Sequence, residues 1–345
     1  MNIRRTLVGT SRGHAHQAPS PVEAYTLDTG TGFAISVWTF GATLVEVWVP
    51  DRSGRIDNVV RRLPDLESYE ERSQNPYVGS TVGRYSRCIA GGVLRLDGAA
   101  YPLACNYGKD HFHGGPLGFD RFVWRAEAAQ HATELELRLY LDSPDGDQGY
   151  PGALATEASY RLTNSGRLSF EYTATTSKST VVALTNHAYW NLAGAGQIND
   201  HQLTLRSPHV LMVDEALIPS GGPVSVLGTV FDYTEPRLLG DAKLDHCYVW
   251  ADASRSARAV TPSPARPCLE VAELYHAASG RLMRVSTDQP GLQMYSGEVL
   301  AEPRGGLCFE AGAWPNCPNR PDYPSSRLDP GGVYRQTTVH EFSCR

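Results

Sequence analysis

The chain never sustains a helical stripe. Short alternating or β-branched runs are cut off, again and again, by turn-forming clusters. FAISVWTF, ATLVEVWV, ELELRLYLD, RLSFEYTATT, HQLTLRS and LMRVST carry the side-chain pattern of strands. Between them stand DRSG, LDGAA, SPDGDQGYPG, TNSGR, PSGGP and LDPGG, which supply the backbone angles of tight turns. PDLESYEERS is the best candidate for a helix, and it is short. With 33 Gly and 23 Pro in 345 residues and no helices to carry parallel crossovers, the sheets should be antiparallel. The predicted class is all-β, a large antiparallel β-sandwich or barrel. No linker or repeat divides residues 21–345, which read as one domain; the polar residues 1–20 read as a loose lead-in.

Composition narrows the function classes. A formal net charge of −6 gives no electrostatic footprint for nucleic acid. No run approaches the roughly 18 apolar residues that span a bilayer. Basic residues near the N-terminus have no apolar run behind them, so no secretory signal is predicted. The expectation is a soluble, cytoplasmic protein. Seven cysteines stand singly, without a CxxC pair, which argues against a disulfide scaffold and a structural zinc site.

Four segments concentrate residues capable of chemistry: NYGKDHFHGGPLGFD with His111 and His113, LTNHAYWNLAG with His187, AKLDHCYVW with Asp245 and His246, and GGLCFEAGAWPN with Glu310. Singly, each is more readily a hydrogen-bonded core or turn residue than a catalyst. Together they admit two readings. His111, His113, His187 and a carboxylate could hold a divalent ion, since H-x-H on a strand points both side chains one way. Alternatively His187 and Glu310 form a metal-free acid/base pair, an imidazole of pKa ~6.5 donating and a carboxylate of pKa ~4.3 accepting. The pattern alone leaves both open.

Nine segments, in order along the chain, resemble the aldose 1-epimerase (galactose mutarotase) family: GATLVEVWVPDRSG, NPYVGSTVGRYSRCIAGG, HFHGGPLGFDRFVW, SPDGDQGYPG, LTNHAYWNLAG, VDEALIPSG, LDHCYVW, DQPGLQMYSG and CFEAGAWPNCPN. The resemblance implies a large antiparallel β-sandwich with an open cleft on one face, needing neither cofactor nor metal. It implies His187 as general acid and Glu310 as general base for opening and reclosing a sugar ring. It implies that His113 and Asp245 hold the substrate and that Gln293 lies against the same cleft. The expected partner is a small-molecule substrate, with the chain a monomer or homodimer.

Two positions depart from the family pattern. Where the family has G-R-x-x-N-R-I, with an Asn-Arg pair reaching the sugar, this chain has Arg87 and Cys88; Gly83, Arg84, Tyr85, Ser86 and Ile89 fit. Arg84, Arg87 and Cys88 are the substrate-binding candidates of this wall. Where the family has E-x-Q, Gly312 follows Glu310. Both changes remove polar groups from the expected cleft. Three readings follow: mutarotation of a hexose with Arg87 standing in for the missing arginine; dehydration or epimerisation of a less polar, non-sugar metabolite by the same His/Glu pair; or a catalytically silent carbohydrate-binding relative.

Overall fold

A computed structural model describes residues 1–250 and 267–345. Among these residues there are 26 strands, and every strand-to-strand ladder is antiparallel, as the absence of crossover helices requires. The expected helix is present but reduced to Leu66–Glu70, started by Asp65, whose side chain accepts from the Ser68 N–H.

Three sheets form the body. The largest has nine strands and runs from the Arg237–Leu238 edge through Tyr334–Cys344 to Arg125–Gln130. A six-stranded sheet contains Leu307–Gly312, Gly291–Tyr295 and Asp245–Val249 as adjacent strands. A five-stranded sheet holds the first strands of the chain. One cluster of buried apolar side chains draws on all three, including Leu137, Met283, Ile35, Val47, Leu292 and Phe309. Truncating any such fully buried Leu or Phe to Ala would cost about 2–5 kcal/mol.

Alternation in the six-stranded sheet positions the site. Leu292, Met294, Phe309 and Ala311 point into the large core. Their neighbours Gln293 and Glu310 are therefore turned to the opposite face, where they stand directly across from each other on adjacent strands. Two smaller apolar clusters cover parts of that outer face, one around Tyr85, Tyr150 and Trp314, the other around Phe40, Tyr69 and Tyr189.

The N-terminal residues correct an expectation. Asn2–Thr10 is a strand, paired along its length with Pro21–Asp28. His14 and Gln17 then dock, His14 edge-on to Phe122 at 4.6 Å and Gln17 hydrogen-bonded in both directions to Val123. The strand lies at a sheet edge with most of its side chains exposed. Arg4 and Arg5 are the charged residues by which edges resist further pairing, so the segment carries no apolar alternation to read.

Candidate functional site

Glu310 is the centre of the outer-face cleft. Its side chain is 3% exposed, and its Oε1 lies 3.7 Å from His187 Nε2. That is too long for a direct hydrogen bond, and close enough that a group bound beside the pair would lie within reach of both. His187 follows the Thr185–Asn186 strand and is held between the rings of Tyr77 and Tyr189. Its Nδ1 lies 3.6 Å from the Cys308 Sγ. Burial lowers the His187 pKa from its ordinary value, and the Glu310 carboxylate opposes that shift.

His113 sits in the turn after Phe112 with φ of 51°, a left-handed conformation that histidine tolerates better than most residues. The turn is fixed from behind. A β-carbon on Gly114 would lie 1.8 Å from the Gly83 carbonyl oxygen, so only glycine lets these two segments of the wall touch. His113 is buried with its Nδ1 unpartnered, and its ring meets His187 edge-on at 5.4 Å. Burial drives its pKa well below the usual range.

Asp245 accepts a 2.7 Å hydrogen bond from Gln293 Nε2, while Gln293 Oε1 is buried without a partner. Burial pushes the Asp245 pKa up to about 7, with the Glu310 charge adding to the rise and the Gln293 bond opposing it.

Arg87 enters the cleft and takes Glu310. Its Nη1 donates to Glu310 Oε2 at 3.0 Å and to its neighbour's Ser86 carbonyl at 2.7 Å, and Nη2 donates to the Glu310 carbonyl. Both partners are almost wholly buried. One donor, Arg87 Nε, is left buried and unpaired. Cys88 also lines the cleft, its thiol kept protonated by burial, which raises its pKa to about 12. Its Sγ is 3.8 Å from the Ala216 carbonyl.

Arg84 is corrected. Its guanidinium donates to Ser143 Oγ and to the carbonyls of Ser143, Pro144, Pro151 and Gly152. It ties down the SPDGDQGYPG turn and does not line the cleft. His111 is likewise spent elsewhere, Nδ1 on the Ala104 carbonyl and Nε2 on the Tyr150 hydroxyl. The H-x-H metal arrangement is therefore not formed. Among the described residues a different trio, His113, His187 and Glu310, has ligand atoms within 4.8 Å of one another. The Arg87 guanidinium against Glu310 opposes a cation there.

The expected cleft is open; the observed one is nearly filled. A cavity of about 30 Å³ remains, lined by the polar or charged side chains of Arg87, His113, Asp245, Gln293 and Glu310 together with Phe112, Cys88, Val213, Leu217 and Pro315, room for roughly two water molecules. The turn Val213–Pro219 closes it, with Asp214 accepting from the N–H groups of Ala216 and Ile218. Tyr77, Phe112, Val213, Leu217 and Pro315 were not singled out from sequence, although all lie in segments that carry the family resemblance.

The aldose 1-epimerase family model matches residues 23–341. This chain belongs to the aldose 1-epimerase family. It is 38% identical to the galactose mutarotase of Bos taurus over 322 residues, 90% of this chain and 91% of that one. It is 31% identical to the aldose 1-epimerase of Escherichia coli K12, covering 93% of this chain and 95% of the relative. Among solved structures it is similar to galactose 1-epimerase from Lactobacillus acidophilus, with a TM-score of 0.82 and 26% identity over 99% of both chains. An aldose epimerase homologue from C. elegans gives 0.81 and 26% over 92% of this chain and 98% of that one. The family is one of isomerases, and the fold is that of the mutarotases.

Proposed function

We propose that the protein interconverts the α and β anomers of an aldose, with Glu310 as general base and His187 as general acid. The observation that carries this reading is the approach of two buried side chains, Glu310 Oε1 and His187 Nε2, to 3.7 Å, with Glu310 lining the cleft. The anomeric and ring oxygens of a pyranose share one carbon, so a base for the first and an acid for the second must converge in this way.

Glu310 takes the proton of the anomeric hydroxyl while His187 gives one to the ring oxygen. The C1–O5 bond breaks, C1 becomes an aldehyde, and rotation about C1–C2 presents its other face. Ring closure reverses both proton transfers. Arg87 fixes the Glu310 carboxylate through Oε2 and leaves Oε1 on the His187 side. Asp245, Gln293 and His113 hold the hydroxyls. A pyranose needs several times the room present, in keeping with sites of ~300 Å³ and above, so entry requires the Val213–Pro219 turn to move.

The test is the approach of freshly dissolved α-D-aldoses to anomeric equilibrium, followed by polarimetry. Acceleration over the spontaneous rate, abolished in His187→Ala and Glu310→Gln, is the expected result. No acceleration with any aldose would sink the reading.

A further inference from the structure

One strand meets His187 at both ring nitrogens. Cys308 and Glu310 stand two residues apart on Leu307–Gly312, and Phe309 between them is turned into the large core. Strand alternation therefore sets the thiol and the carboxylate on the same outer face. Glu310 Oε1 lies 3.7 Å from His187 Nε2. Cys308 Sγ lies 3.6 Å from Nδ1, a distance that the larger sulfur atom allows for a hydrogen bond.

The sheet register makes this arrangement. Tyr189 pairs directly with Cys308, so the chain just past His187 runs beside the strand that carries both groups. The Tyr189 ring also packs on His187 at 5.0 Å and shares an apolar cluster with Cys308. Burial of the thiol is complete and keeps it protonated and uncharged.

His187 is otherwise met by rings and charges. Tyr77, Tyr189 and His113 contact it, and Glu310, Arg87 and Asp120 act on it through their charges. Among the described side chains, Cys308 is the one that meets Nδ1. The other acceptor near the ring, its own backbone carbonyl, already accepts from the Gly79 N–H at 3.0 Å.

An acid that hands over one particular proton needs its other N–H held, and the hydrogen bond at one ring nitrogen decides the state of the other. We propose that Cys308 is the positioning residue of the acid: its sulfur accepts from Nδ1–H of the imidazolium, so that the proton on Nε2 is the one exchanged with the sugar's ring oxygen. Ring opening moves the Nε2 proton to O5 and leaves a neutral imidazole protonated at Nδ1. Ring closure returns a proton from O5 to Nε2, and the Nδ1–H stays on sulfur throughout. This inference rests on the anomer-exchange reading and adds a residue to it. Sulfur is a weak acceptor, so it orients the ring and supports the imidazolium only slightly, in keeping with a His187 pKa that stays lowered.

The test uses Cys308→Ala, which removes the acceptor, and Cys308→Ser, which replaces it by a stronger one. His187 is titrated by NMR in each substrate-free protein, its signals assigned by their absence from His187→Asn, and kcat and KM are measured by polarimetry. The alanine variant should lower the His187 midpoint by about 0.5 pH unit or more and the serine variant should raise it, because a hydrogen bond to the charged form favours that form. At neutral pH kcat should fall about 10-fold or more in Cys308→Ala with KM unchanged, and Cys308→Ser should restore most of it. A folded alanine variant with either its midpoint or its kcat unmoved would overturn the proposal and leave the anomer-exchange reading standing. Should alanine unfold the chain, the serine midpoint decides, and no upward displacement would overturn the proposal. Midpoints that moved as expected in a protein that accelerates no aldose would sink the anomer-exchange reading and leave the Nδ1 contact standing.

Discussion

Arg87 Nη1 lies 3.0 Å from Glu310 Oε2, and the two side chains are only 4% and 3% exposed. The Glu310 carboxylate, proposed above as the base, is thus held in a buried ion pair. A buried pair is expensive to break from one side, since the survivor is left charged and unsolvated.

Removing Arg87 should therefore cost stability as well as activity. Arg87→Ala is expected to destabilise by about 3–5 kcal/mol in denaturant titration. Arg87→Lys should recover only part, because an ammonium cannot reach two carbonyls and a carboxylate in the plane of a guanidinium fork. A loss below about 0.5 kcal/mol in the alanine variant would contradict the pairing.

Each half of the acid/base pair should carry a large share of the rate. Glu310→Gln and His187→Asn keep shape and hydrogen bonding but not proton transfer, and each should lower kcat by roughly 10²- to 10⁴-fold. Melting temperatures measured alongside separate lost chemistry from lost fold.

The pH profile follows from His187. Burial lowers its pKa from 6.5, so the imidazolium is lost at a lower pH than in a free histidine. A step that needs that proton should lose kcat/KM as the pH rises through the lowered value, and the decline should already be under way below pH 6.5. A profile that stayed flat to pH 8 would remove His187 as the acid.

Asp245 gives a separate pH signature in stability. Its folded pKa of about 7 stands above the unfolded 3.8, so the folded state binds its proton more tightly. The stability contributed is full below 3.8 and is lost as the pH rises to about 7. Asp245→Asn, which cannot ionise, should match the wild-type chain at pH 4 and exceed it by roughly 1–4 kcal/mol at pH 8. Thermal melts at the two pH values check this directly.

Arg84 should behave as a strut. Arg84→Lys should lower the melting temperature, since an ammonium cannot serve the carbonyls of Ser143, Pro144, Pro151 and Gly152 together. The KM of the folded fraction should not change. A KM shift without a stability loss would return Arg84 to the cleft.

Much of the architecture was legible because period-2 patterning and turn chemistry are local. The strands at Glu134–Ser143 and Arg167–Thr176 stand where ELELRLYLD and RLSFEYTATT predicted. The first strand was not legible, because an exposed edge needs no apolar face. His187, Asp245 and Glu310 stood out in the sequence as residues capable of chemistry and Gln293 only through family resemblance, while their juxtaposition depends on pairing between distant strands. Resemblance also misled at Arg84, where a matching motif residue is turned to the neighbouring loop. What neither route could show was the closed cleft, because the Val213–Pro219 turn reaches it by tertiary packing.

The Arg87–Glu310 pair joins residues 223 positions apart. No local hairpin can assemble such a contact; it forms only after the intervening strands have been laid down and the loop-closure entropy of a very long segment has been met. In kinetic terms, this site is finished late. During refolding, recovered turnover should trail the recovery of β-sheet signal, and on the ribosome Glu310 cannot meet Arg87 until Leu307–Gly312 has emerged and found its place in the six-stranded sheet.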